Sequence, residues 1–191
     1  MTKRCLYEEQ LLINDDGRLM KDNIILIGFM GVGKGRTARE LSNKTGMFAV
    51  DCDDLIESLA NMKVKRIFER FGEERFRSYE KAVANWLSTN VQDTIVSSGG
   101  GFLKVPNLKE LGNIVYLHGE FDNIIDGIFN HPNAKKKIKK RPLLQNLEQA
   151  RALYDQRLDM YKDAADLVVI VDNKETDLIC DEIIGALSLS S

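Results

Sequence analysis

Short apolar runs alternate with amphipathic stretches along the chain from Asn23 onward. Five runs of four or five residues predict buried strands, at Ile24–Gly28, Phe48–Asp51, Thr94–Ser98, Ile114–Leu117 and Leu167–Val171. Helical patterns lie between them, most clearly over Gly35–Gly46, residues 54 to about 71, and Glu73–Thr89. Short apolar strands separated by helices are typical of a parallel sheet covered on both faces. The pattern therefore predicts an α/β domain that binds ligands at the carboxyl ends of its strands.

Residues 1–22 show no sustained period, and the turn signal at Asn14–Gly17 is their clearest feature. We expect an N-terminal extension followed by one domain over residues 23–191. The extension is compatible with a flexible arm, an added leader or an extra hairpin, and the sequence does not distinguish between them.

The composition is ordinary for one globular domain of 191 residues: 43% of the residues are hydrophobic, 29% are charged, and the net charge is −2. Nothing in this balance indicates a nucleic-acid partner. The longest apolar runs, such as Ile24–Met30, have about seven residues, far fewer than a membrane span needs. The mixed charges of the first ten residues argue against a cleaved signal, and three scattered cysteines fit a reducing compartment. We therefore expect a cytoplasmic protein.

A glycine-rich loop, GFMGVGKG, follows the first predicted strand and precedes a predicted helix. Gly28, Gly33 and Lys34 match the phosphate-binding pattern G-x-x-x-x-G-K-[ST], but Gly35 stands where the hydroxyl residue belongs. In such a loop, backbone N–H groups and the helix N-terminus hold phosphate oxygens. The alternative is a turn that only packs a strand on a helix.

Two acidic residues, Asp51 and Asp53, lie at the end of the second predicted strand. Because side chains alternate along a strand, both carboxylates can face the strand-end crevice. One could hold Mg²⁺ through water while the other accepts a hydroxyl proton. The alternative for Asp53 is that it caps the following helix.

Three arginines and a glycine triplet complete the candidate site. Arg77 has Glu73 and Glu80 at helical spacing, so an exposed ion pair is its simplest interpretation. Arg141 and Arg157 are each compatible with plain surface charge. The triplet Gly99–Gly101 is more specific, because consecutive glycines after a strand cost stability and make sense where backbone approaches a ligand.

Taken in order, the segments GFMGxGK, FxVDxDxxIE, IFxxxGExxFRxxE, SGGG, RPLL and LYxxRxxxY resemble the shikimate kinase family over Asn23–Val171. The resemblance implies a P-loop three-layer α/β/α fold with a five-stranded parallel sheet. It also implies a helical substrate-binding segment at about 53–90 and a mobile lid at about 130–146. The implied reaction transfers the γ-phosphoryl of ATP to the 3-hydroxyl of shikimate, giving shikimate 3-phosphate on the route to chorismate and aromatic amino acids.

The resemblance also implies a role for each matching residue. Asp53 would hold the shikimate hydroxyls and act in catalysis with Lys34 and Arg141. The substrate carboxylate would be bound by Arg77 and Arg157, helped by the backbone of Gly99, Gly100 and Gly101. ATP would lie against Gly31, Val32, Gly33, Lys34, Gly35, Arg36 and the lid residue Arg141. Asp51 would hold Mg²⁺ through water. The implied partners are shikimate and ATP, with no nucleic acid or membrane, and the protein is expected to be a monomer.

The departures from the family pattern lie on the nucleotide side. Gly35 lacks the magnesium hydroxyl, and Thr37 is rotated about 200° around the helix from that position, so it cannot substitute. Water could fill the place, since Mg²⁺ keeps several waters. We expect weakened metal binding and slower turnover, which Arg36 could offset near the α-phosphate. The alternative is a weakly active or non-catalytic relative that binds shikimate or nucleotide.

Two further departures concern adenine and the lid. Gly127 stands where the family often has an arginine that stacks on adenine. The lid sequence HPNAKKKIKKRPLL is rich in lysine, which in isolation suggests a nucleic-acid or nuclear-import patch. Its position favours a lid that binds phosphates, and the alternative is plain solvated charge. A small-molecule kinase of another specificity, such as a gluconate kinase, is disfavoured by SGGG, GExxFR and RxxxY, which suit a carboxylated ring.

Overall fold

A computed structural model describes residues 23–139 and 142–189. Five strands form one parallel sheet in the order β2-β3-β1-β4-β5. Their bounds are β1 Ile24–Ile27, β2 Phe48–Asp51, β3 Thr94–Ser97, β4 Asn113–His118 and β5 Leu167–Ile170. Each predicted strand is present, with ends shifted by at most one residue, which confirms the predicted five-stranded parallel sheet.

Helices cover both faces of the sheet. The α-helices are α1 Lys34–Thr45, α2 Cys52–Ala60, α3 Val64–Asn90, α4 Phe121–Phe129, α5 Ala134–Lys139, α6 Leu147–Ala164 and α7 Thr176–Leu187. Short 3₁₀ turns occupy Phe102–Lys104, Leu108–Glu110 and Pro142–Gln145. No helix within the described residues combines the length and the apolar character that a membrane crossing requires.

The core has two parts because successive residues of a strand face opposite sides of the sheet. Ile24 and Leu26 of β1 pack with α1 and α7 on one side. Ile25 and Ile27 pack on the other side, with side chains of α2, α3, α4 and α6. All four side chains are fully buried, so the sheet is the middle of three layers. The predicted three-layer α/β/α fold is confirmed.

The helical region after β2 is divided twice. Asn61, in the left-handed conformation, ends α2, so the predicted helix over residues 54–71 is interrupted there. The sequence also predicts a break between Phe71 and Glu73, and Gly72 has φ 75° and ψ −177° inside α3. This conformation is essentially restricted to glycine. The break at Gly72 reorients the part of α3 that carries Arg77.

The predicted N-terminal extension, residues 1–22, lies outside the described residues. The predicted lid, residues 130–146, is described in part, as α5 and the 3₁₀ turn Pro142–Gln145. Arg141, the lid arginine, also lies outside the described residues.

Candidate active site

The glycine loop joins β1 directly to α1. Gly33 precedes α1 with φ 113°, and no side chain caps the helix there. Gly28 has φ 141°, and a Cβ at this position would lie 2.6 Å from the Leu117 carbonyl oxygen. The tight loop therefore requires glycine and leaves the first turn of α1, with its positive potential, open toward an anion.

Lys34 begins α1 and is largely buried, with 8% exposure. Its Nζ donates to the carbonyl oxygens of Gly28, at 2.7 Å, and Phe29, at 3.1 Å. The ammonium is thus held within the curve of its own loop, where a phosphate would be cradled. Val32 is partly buried beside it, whereas Gly31 and Arg36 are exposed.

Asp51 ends β2 and lies next to Ser97 at the end of β3, because the two residues are paired in the parallel register. One carboxylate oxygen accepts the Asp53 N–H at 2.9 Å and so caps α2. The other accepts the Ser97 hydroxyl at 2.8 Å. A Cβ at Gly35 would lie 3.9 Å from that second oxygen. The Asp51 carboxylate therefore lies close to the first turn of α1. The residue that caps α2 is Asp51, and not Asp53 as in the alternative above.

The donor set at this point suits a hard cation that keeps much of its water. No three His, Cys, Asp or Glu side chains converge on a metal position within residues 23–139 and 142–189. Asp51 supplies a carboxylate, and Ser97 supplies a hydroxyl oxygen. Mg²⁺ is usually bound by one or two carboxylates together with waters and phosphate oxygens, so these residues fit the metal that the resemblance implies.

The glycine triplet brings the predicted substrate residues together. A Cβ at Gly99 would lie 3.1 Å from Asp53 Oδ1, and one at Gly100 would lie 3.4 Å from Arg157 Nη1. A Cβ at Gly101 would lie 2.8 Å from the Arg77 Cζ. Each glycine thus faces a different charged side chain that the sequence assigned to substrate. The Gly100 position also lies 3.7 Å from the backbone nitrogen of Met30, so the triplet adjoins the phosphate loop.

Arg77 forms both of the ion pairs that its spacing predicts. Its Nε and Nη2 donate to Glu73, at 3.1 and 2.7 Å, and its Nη1 donates to Glu80 at 2.5 Å. Glu73 is exposed, whereas Glu80 is 2% exposed and its Oε1 has no hydrogen-bond partner among the described residues. Burial raises the pKa of Glu80, and Arg77 opposes that rise. The pair with Glu80 therefore fixes the guanidinium against the triplet.

Asp53 lies between the two halves of the site. Burial raises its pKa to about 6; the charge of Asp51 adds to this rise, and the charge of Lys34 opposes it. The carboxyl remains mainly ionised at neutral pH and can accept hydrogen bonds from hydroxyl groups.

Arg157 reaches the triplet from α6. It is 6% exposed, and its Nη1 donates to the Gly100 carbonyl oxygen at 2.7 Å. Tyr161, one helical turn later, donates its hydroxyl to the same oxygen at 2.6 Å. The Arg157 Nε is buried without a hydrogen-bond partner in the described part of the chain. A buried N–H of this kind is costly unless a ligand or water completes it.

The geometry places three further side chains in the site, those of Ser97, Glu80 and Tyr161. Ser97 had no signal in the sequence, because its contact with Asp51 depends on β2 lying next to β3. Glu80 was identified only as an ion-pair partner, although its burial makes it a fixed support for Arg77. Tyr161 lies one turn after Arg157, and that spacing places both on one face of α6.

Gly127, at the position where the family often has an adenine-stacking arginine, has no side chain. Gly127 is exposed on α4, and no atom of the described residues lies within 4 Å of where its Cβ would be. This position offers no side chain to a base.

Comparison with known proteins identifies the family of this chain. The family model described as shikimate kinase matches residues 30–188. A shikimate kinase of Helicobacter hepaticus is 34% identical over 78% of this chain and 86% of its own length, and one of Streptococcus thermophilus is 39% identical over 78% and 91%. The solved shikimate kinase of Acinetobacter baumannii, in complex with shikimate, has a TM-score of 0.78 at 27% identity and covers 88% of this chain and 93% of its own. The chain belongs to the shikimate kinase family.

Proposed function

We propose that this chain transfers the γ-phosphoryl group of ATP to the 3-hydroxyl of shikimate and forms shikimate 3-phosphate. The observation that carries the proposal is the glycine triplet, which sets Asp53, Arg157 and Arg77 around one space beside the phosphate loop. Family membership supports the reaction, and the triplet supports the substrate position, because two guanidinium groups and a carboxylate suit a ring with one carboxylate and several hydroxyls.

The carboxylate of shikimate would lie between Arg77 and Arg157. The hydrogen bonds to Glu73 and Glu80 use three of the five N–H donors of Arg77. Two donors remain, one on each terminal nitrogen, for the carboxylate of a ligand. The buried Nε of Arg157 supplies a further unused donor. Two fixed guanidinium groups would orient the ring as well as bind it.

Asp53 would accept hydrogen bonds from the ring hydroxyls and take the proton of the 3-hydroxyl as it attacks. A positioned carboxylate near the phosphate loop serves this role because phosphoryl transfer depends mainly on alignment and charge neutralisation. Arg77 and Arg157 hold the far end of the ring, so the hydroxyl is directed toward the phosphates.

The nucleotide would bind over the loop that runs from Gly31 to Arg36. The first-turn N–H groups of α1 would hold phosphate oxygens, and Lys34 would exchange its carbonyl partners for the transferred phosphate. Asp51 would hold Mg²⁺ through water, and the bound ion would supply charge neutralisation for the transferred phosphoryl group. Arg141, on the proposed lid at 130–146, would close over the phosphates and exclude water. We propose that the protein acts in the cytoplasm, as a monomer, on the route to aromatic amino acids.

The decisive experiment measures shikimate 3-phosphate by mass spectrometry after incubation of the purified protein with ATP, Mg²⁺ and shikimate. The proposal expects product and an equal amount of ADP, both dependent on shikimate. Formation of ADP without shikimate, or binding of shikimate without product, would contradict it. The second outcome would favour the non-catalytic binding relative that Gly35 suggests.

A further inference from the structure

Ser97, at the end of β3, lies close to Gly35, the position at which the phosphate loop lacks its hydroxyl. A Cβ at Gly35 would lie 3.8 Å from the Ser97 Oγ and 3.9 Å from Asp51 Oδ2. Ser97 is 3% exposed at the end of β3. The oxygen that a serine at position 35 would present lies one bond beyond the Cβ, so Ser97 already offers a hydroxyl in the same small space.

The hydrogen bond of Ser97 determines what that hydroxyl can do. Its proton is donated to Asp51 Oδ2 at 2.8 Å. A hydroxyl carries one donor and two acceptor lone pairs, so both lone pairs of Ser97 remain for another partner. The adjacent carboxylate adds negative charge to the same point. An oxygen with this orientation suits a hard cation that takes oxygen ligands.

We propose that Ser97 supplies the side-chain oxygen for Mg²⁺ that Gly35 cannot supply. The proposal rests on the proposed function, since that function brings Mg²⁺ with ATP. The side-chain hydroxyl that binds the metal would then come from the end of β3 and not from the first turn of α1. Asp51 would keep its role at the metal. A hydroxyl at position 35 is then not required, because Ser97 supplies an oxygen within 3.8 Å of the Gly35 Cβ position.

Arg39 is the third neighbour of this space. Its Nη1 would lie 3.7 Å from a Cβ at Gly35, and its side chain is otherwise exposed. A guanidinium can neutralise Asp51 without binding a metal, which gives a distinct alternative. A second alternative is that Ser97 only fixes the orientation of Asp51. Both alternatives predict different results from the same set of variants.

The test is a double-mutant cycle on Gly35 and Ser97, read as the metal dependence of ADP binding by calorimetry. The measured quantity is the ratio of the ADP dissociation constants in EDTA and in Mg²⁺. We expect Ser97→Ala to reduce this ratio by about tenfold or more, the effect typical of altered metal-site residues. Gly35→Ser should change it less than about threefold in the parent chain but restore it in the Ser97→Ala background, which is the non-additivity expected of groups that share one partner.

The control is Ser98→Ala. The Ser98 hydroxyl is next in sequence to Ser97 but donates to the Leu26 carbonyl oxygen at 2.8 Å. This variant should leave the ratio unchanged, and circular dichroism should show that every variant is folded. An unchanged ratio in Ser97→Ala, or equal gains from Gly35→Ser in both backgrounds, would overturn the proposal. So would a ratio that responds to Arg39→Ala and not to Ser97→Ala. Failure of the proposed function shows itself separately, as absent transfer to shikimate by a parent chain whose ADP binding still depends on Mg²⁺.

Discussion

At the scale of single residues, the glycine triplet makes the clearest prediction. Gly101 has φ −104°, which alanine adopts without strain, so a substitution there tests space alone. The new methyl group would meet the Arg77 guanidinium and push its flexible end away from the carboxylate position. We expect Gly101→Ala to raise the KM for shikimate by about tenfold, equivalent to about 1.4 kcal/mol, and to leave the KM for ATP unchanged.

Gly185→Ala is the matched control for this variant. Gly185 lies on α7, and within the described part of the chain no atom lies within 4 Å of where its Cβ would be. Steady-state kinetics with each substrate varied in turn should show no change in either KM. A rise in the KM for ATP in Gly101→Ala would contradict the assignment of the triplet to shikimate.

Arg77 gives a second prediction, about shape rather than charge. Arg77→Lys keeps a cation beside Glu80 but loses the forked pair of donors. We expect kcat/KM for shikimate to fall roughly 10- to 100-fold, in keeping with the loss of a hydrogen bond to a charged group. Arg75→Lys, on the same helix with its guanidinium over the Tyr79 ring at 4.8 Å, should retain kcat/KM. Equal losses in both variants would mean that Arg77 acts only through the helix.

Residue positions were predicted better than residue contacts. Strand alternation predicted that Asp51 and Asp53 can face the same crevice, but β2 ends at Asp51 and Asp53 lies in the first turn of α2, so alternation does not explain its position. The pairing of Asp51 with Ser97 could not be predicted, because it depends on β2 lying next to β3. Short apolar runs predict strands but do not determine the order of the strands in the sheet. The separate partners of Arg77 were predictable, since both lie on its own helix.

At the scale of elements, the break at Gly72 connects backbone conformation with substrate binding. Its φ of 75° with ψ of −177° lies in a region that other residues occupy at a cost of about 1–3 kcal/mol. We expect Gly72→Ala to lower Tm by roughly 2–12 °C and to raise the KM for shikimate, because Arg77 follows the break by little more than one turn. Scanning calorimetry and kinetics test both effects. A lower Tm with an unchanged KM would confine the role of Gly72 to stability.

Helix boundaries were predicted where a glycine marks them and missed where another residue does. The C-terminal end of α1 was predicted from Gly46, which adopts the left-handed conformation with φ 75°. The end of α2 was missed, because Asn61 there takes the left-handed conformation without a glycine signal, and the flanking residues continue a helical pattern. Gly72 was found because glycine inside a helical pattern marks a break.

At the scale of the whole molecule, the fold was predictable from the apolar runs and the loop, whereas the site was predictable only through the combined motifs. Arg77 lies on α3 and Arg157 on α6, and no local spacing relates them. Both reach the glycine triplet after β3, where a Cβ at Gly101 would approach Arg77 and one at Gly100 would approach Arg157. The parallel sheet, with the phosphate loop after β1 and the triplet after β3, divides the site into a nucleotide half and a substrate half.

This division predicts that the two halves bind their ligands separately. A ligand at about 100 times its Kd stabilises the folded chain by about 2.7 kcal/mol, which corresponds to a Tm rise of roughly 5–11 °C for a domain of this size.

Lys34→Met keeps the apolar stem and removes the ammonium, so it should lose most of the rise with ADP and retain the rise with shikimate. Arg157→Ala should show the reverse, and Arg77→Lys provides a second substrate-side variant if Arg157→Ala does not fold. Thermal unfolding of each variant with each ligand alone measures the four shifts. Loss of both shifts in one folded variant would show that the halves are coupled, and the assignment of separate sites would be wrong.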